Sequence, residues 1–132
     1  MASIRREITT TASPADVWAA IRDTGALHTR LVPGFVVDTK LEPGARMVTF
    51  GNGMTARELI VDLDDAARRL VWSAVGGRLS HHNASVQVFE AGAGCRVVWI
   101  ADLLPDAMAP AIAGMIDAGM AVMKTTLDKL AA

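Results

Sequence analysis

Between residues 35 and 103 the chain is cut at short, regular intervals by turn-forming residues, and this punctuation restricts the fold more than any other feature. Pro43-Gly44, Gly51-Asn52-Gly53, Asp64-Asp65, Gly76-Gly77 and Gly92-Ala93-Gly94 separate β-rich runs at about residues 35–41, 46–50, 55–62, 69–75, 79–90 and 96–103. Glycine, proline, asparagine and aspartate reverse the chain at little steric cost. Connections this short join antiparallel neighbours and leave no room for the crossovers that parallel strands require. The pattern predicts an antiparallel meander.

The flanks differ from the middle. Ile4, Arg6 and Ile8 alternate with Arg5, Glu7 and Thr9, so residues 3–10 read as a further strand, the seventh. Ser13-Pro14 is a helix start, a capping serine followed by proline in the first turn. The helix, at about residues 14–23, places Val17, Trp18 and Ile21 on one face and ends at Gly25. A second short helical stretch, near residues 26–31, stops at Pro33-Gly34. After Pro105 the period changes again: Ile112, Met115, Ile116, Gly119, Met123, Thr126, Leu127 and Leu130 recur at helical spacing. Pro110 fits only the opening turn, so this helix is expected to start near Met108.

The predicted class is α+β, one domain over residues 1–132, with two short helices, seven antiparallel strands and a long C-terminal helix. One helix cannot cover seven strands unless the sheet curls around it, and that wrap encloses a cavity.

Thirteen Lys and Arg balance fourteen Asp and Glu, so no single-sign field draws the chain to nucleic acid or to an anionic membrane. The apolar stretches are interrupted by Asp117 or by glycines, and the N-terminus carries Arg5, Arg6 and Glu7. A soluble, cytoplasmic protein without membrane insertion is expected. Cys95 has no companion for a disulfide or a thiolate zinc site and reads as a small buried hydrophobe. Hydrophobic residues reach 52%, with seven Met and few aromatics, enough to line a hollow or a partner interface as well as a core. No phosphate loop, dinucleotide fingerprint, zinc spacing or nucleophile elbow is found, and neither a cofactor nor a metal is expected.

The candidate site residues are few. Glu58 precedes the apolar run Leu59-Ile60-Val61 and shares a strand face with Met54, Ala56 and Ile60. A carboxylate there either faces a cavity in a functional role or points outward to a cross-strand arginine, Arg46 or Arg69. His81 and His82 are adjacent on a strand and point to opposite faces, which argues against one shared metal ion. Periodicity sends His82, Ala84, Val86 and Val88 inward and leaves His81, Asn83, Ser85 and Gln87 as a polar outer face. Trp72 and Trp99 read first as packing residues, with Trp99 facing the long helix. Met115 and Met123, with Met108, Met120, Gly114 and Gly119, make that helix either an ordinary packing surface or a deformable pocket wall.

Several strings, in order and across essentially the whole chain, resemble the START-like superfamily, also called the polyketide cyclase/dehydrase or SRPBCC group. They are Ser13-Pro14-Ala15-Asp16-Val17-Trp18, Leu41-Glu42-Pro43-Gly44-Ala45-Arg46, Glu58 six residues before Asp64-Asp65, His82-Asn83-Ala84-Ser85, Val97-Val98-Trp99-Ile100 and Asp102-Leu103-Leu104-Pro105. The resemblance implies a helix-grip fold with an acid at the position of Glu58 inside the cavity. It also implies that Asn83 and Ser85, and with them His81, line that cavity, against the periodicity. The leading functional expectation is binding of a small hydrophobic ligand such as a lipid, polyketide or aromatic metabolite. The alternatives are a cyclase, aromatase or dehydratase using Glu58 or a histidine in acid-base work, and a stress-response or interaction module, acting as a homodimer through an exposed sheet face.

Overall fold

The computed structural model describes residues 1–131. They form seven strands, β1 (Ala2–Thr10), β2 (Val36–Glu42), β3 (Ala45–Phe50), β4 (Thr55–Asp64), β5 (Arg69–Val75), β6 (His81–Ala91) and β7 (Gly94–Leu104). The strands join in one antiparallel sheet of order β1-β7-β6-β5-β4-β3-β2. Hairpins link β2 through β7 in sequence, and β1 returns to pair with β7. The helices are α1 (Pro14–Arg22) and α2 (Ala109–Asp128). The second short helical stretch is a single wide turn, Leu27–Leu31, closed by the Val32 amide donating to the Leu27 carbonyl at 2.9 Å.

The start of α1 follows from its capping residues. Ser13 Oγ accepts from the Asp16 amide at 3.1 Å, and Pro14 occupies the first turn, where its missing N–H costs nothing. Val17, Trp18, Ala20 and Ile21 are buried. Asp65, in the β4–β5 turn, fastens the other side of this helix: one of its oxygens accepts from Trp18 Nε1 and from Arg22 Nε, both at 2.8 Å. Arg22, then Trp18, hold the Asp65 carboxyl below its ordinary range. This clamp seats α1 across one end of the curled sheet.

Helix α2 closes the concave side with Ile116, Gly119, Met120, Met123 and Leu127. By length and composition alone residues Asp106–Ala131 would also cross a bilayer. In this fold their buried face packs inside the sheet, and the outer face is tied to β1. Arg6 Nε donates to Asp117 at 2.7 Å, and Lys124 Nζ donates to the Thr9 carbonyl at the same distance. At Gly119 the helix comes close to two aromatic rings: a Cβ there would lie 3.1 Å from Phe35 and 3.2 Å from Trp99.

Two strands are irregular in ways that alternation did not indicate. Between Ile60 and Asp62 the pairing of β4 with β5 shifts by one residue, which leaves Val61 exposed and returns Leu63 to the core side. A similar shift in β2 sets Val37 outside the ladder. Strand β6 begins at His81, two residues after the expected Leu79. Its ladder with β5 runs from Arg69↔Gln87 to Trp72↔Ala84 and stops there. Beyond that point the Ala74 amide donates to the His82 ring at 2.9 Å, Ser73 Oγ donates to the His82 carbonyl, and Gly76 and Gly77 both take positive φ.

Candidate ligand cavity

The curl of the sheet around α2 leaves a cavity of about 890 Å³, within the range of roughly 300–1,000 Å³ usual for small-molecule sites. Met108, Ile112, Met115, Ile116 and Met123 form its helical wall, while Val36, Phe50, Trp72, Val86 and Trp99 face them from the sheet. Ile21 of α1 and Leu27 and Leu31 of the wide turn line it as well. Its aromatic edges are fixed by mutual contact: Phe35 meets Phe50 edge-on at 5.5 Å, and Trp72 and Trp99 sit 5.7 Å apart at 60°.

Within this apolar lining lies an ion pair. Arg46 on β3 and Glu58 on β4 are cross-strand partners, and Arg46 Nε donates to Glu58 Oε1 at 2.8 Å with the side chains 3% and 10% exposed. The guanidinium also stands 5.7 Å over the Trp72 ring and donates to the Thr24 carbonyl at 3.4 Å. Burial pushes the Glu58 carboxyl above its ordinary value, and Arg46 opposes that rise by charge and hydrogen bond. Glu58 Oε2 makes no hydrogen bond to any described residue. Glu58 therefore faces the cavity and pairs with an arginine at once; sequence reasoning treated these as alternatives.

The second polar feature is His82. Its Nδ1 accepts from the Ala74 amide, which assigns the neutral ring's proton to Nε2. Burial, then the neighbouring His81, push the His82 pKa below its ordinary 6.5. An imidazole whose Nδ1 faces a donor has further reason to stay neutral.

Of the other expected site residues, Trp72, Trp99, Met115 and Met123 line the cavity. Trp99 faces α2 at Gly119, and its buried Nε1 has no hydrogen-bond partner among the described residues. Met108 lines the cavity too, whereas the buried Met120 packs in the core beside it. His81, Asn83 and Ser85 do not line it, which corrects the expectation taken from the resemblance. Register gives the reason. Ala84 pairs with Trp72 and Val86 with Trp99, so the even-numbered residues share the tryptophans' inward face, while Ser85 sits between Val71 and Ile100 on the outer one. His81 is exposed there, Asn83 is half-buried, and Ser85 is buried among its outer-face neighbours.

Sequence reasoning does not place Arg46 or Arg78 in the cavity lining, and it turns His82 inward only as a buried strand residue. The signal for Arg46 was available. A β3–β4 turn centred on Asn52 sets residues six before and six after it opposite each other, and those residues are Arg46 and Glu58.

The family model described as "Polyketide cyclase / dehydrase and lipid transport" matches residues 1–131. Among solved structures, the protein XoxI from Bacillus cereus superposes with a TM-score of 0.87 at 20% identity, covering 100% of this chain and 99% of its own. A START superfamily protein from Mycobacterium smegmatis gives 0.76 at 11% identity, covering 97% and 98%. The di-domain ARO/CYC BexL of the BE-7585A biosynthetic pathway gives 0.83 at 16% identity, covering 97% of this chain and 47% of its own. These likenesses establish the helix-grip fold. No curated protein matches the sequence.

Proposed function

Because the chain belongs to the polyketide cyclase/dehydrase and lipid transport family, we propose that it binds one small, mainly apolar molecule between the sheet and α2 and releases it unchanged. The observation that carries this reading is the cavity itself: about 890 Å³, walled by aromatic and methionine side chains, with its buried charges already paired to each other. Apolar surface supplies the affinity. Trp72 and Trp99 offer flat faces, Met115 and Met123 adapt to ligand shape, and Glu58 Oε2 offers an acceptor for one hydroxyl or amide of the ligand. Native mass spectrometry of the protein purified from its own host tests the reading by retention of a small apolar molecule. The Glu58→Gln protein should hold that molecule less tightly. Conversion of the retained compound on incubation would overturn the claim that it leaves unchanged.

One observation favours a second reading, a cyclase- or dehydratase-type enzyme. A carboxyl pushed upward by burial and a neutral imidazole, Glu58 and His82, line the same cavity and could exchange protons with a bound polyketide-like substrate. In that case Glu58→Gln abolishes turnover while binding persists.

A further inference from the structure

The cavity opens at one end of the sheet. Antiparallel pairing puts the β3–β4 turn, the β5–β6 loop and the start of α2 together, away from the β4–β5 turn that clamps α1. The lining residues there, Asn52, Met54, Val75 and Arg78, are exposed. Charge on the lining is unequal. Among the described lining residues the carboxylates are represented by Glu58 alone, against Arg46, Arg57 and Arg78. Arg46 is taken by Glu58, and Arg57 Nε donates to Glu42 at 3.1 Å. Arg78 enters no ion pair with any described residue. An apolar hollow therefore ends in a mouth that carries one uncompensated positive charge.

Resting on the ligand-binding reading above, we propose that the ligand is an amphiphilic organic acid, its apolar body inside the cavity and its carboxylate held at the mouth by Arg78. Chemistry at both ends favours this orientation. A carboxylate carried inward would lose its hydration beside a Glu58 that already has its arginine. At the mouth it stays partly hydrated and meets a planar guanidinium suited to bidentate pairing. A neutral ligand of the same shape would use the hollow and leave Arg78 unengaged.

Calorimetric titration with decanoate and with 1-decanol, below their aggregation limits, tests the assignment. Decanoate should bind roughly fivefold more tightly, as expected for a partly exposed ion pair, and the preference should shrink in high salt. Arg78→Gln should remove the preference by weakening decanoate to the level of decanol, and Arg78→Lys should keep part of it. Equal binding of acid and alcohol to the unaltered protein, or a preference that survives Arg78→Gln, overturns the assignment and leaves the cavity reading intact. Binding of neither compound, nor of any other apolar probe, overturns both.

Discussion

Arg46 and Glu58 form an ion pair with both side chains buried, whereas the other ion pairs among the described residues lie at the surface. A buried pair returns little net stability, yet breaking it strands a charge in an apolar lining. Arg46→Met alone should therefore lose about 3–5 kcal/mol in urea denaturation. Arg46→Met combined with Glu58→Leu should recover most of that loss while weakening ligands that use the Glu58 oxygen. A double variant as unstable as the single one would mean that Arg46 acts mainly through Trp72 and the Thr24 carbonyl. His82 makes a separate, pH-dependent contribution. Because its folded pKa lies below the ordinary 6.5, the unfolded chain takes up the proton first as pH falls. The contribution is complete above pH 6.5 and drains away as pH drops below it. Thermal melts between pH 7 and 5 should show this acid-side loss, and His82→Gln should flatten it. Both residues illustrate how far sequence reasoning reached. Alternation sorted β6 correctly, with His82 inward, because each face of a strand keeps to every second residue. The resemblance drew Asn83 and Ser85 to the wrong face, since it carried no information about register.

At the scale of elements, turn and cap residues made nearly every boundary readable: Ser13-Pro14 begins α1, and the hairpin turns fall at Pro43-Gly44, at the glycine pairs and just after Asp64. What escaped were features without a local chemical signal. The extra residues at Val37 and Val61 depend on how neighbouring strands twist, and Asp65 reads as a turn residue until α1 is folded against it. Gly119 was legible only as a space-maker. In the folded chain it lets α2 approach Phe35 and Trp99. Gly119→Val should force those rings aside, destabilise the protein by about 1–3 kcal/mol and narrow the cavity. Calorimetric melting and reduced affinity for bulky apolar probes would register the two effects. An unchanged melt would show that the helix shifts outward freely.

For the whole molecule, the element order already implied a sheet wrapped around its last helix, and the cavity follows from that geometry. Its volume, its open end and its unbalanced mouth charge depend on long-range placement and could not be read along the chain. The seam between β5 and β6 bears on how a guest enters. Past Trp72 and Ala84 these strands are joined by side-chain hydrogen bonds in place of a backbone ladder. Amide hydrogens of Gly76 and Gly77 should thus exchange with deuterium far sooner than that of Leu70, and the Ala74 amide should join them once acid protonates His82. The fold carries a zip fastener left undone for its last few teeth, with an imidazole as the clasp.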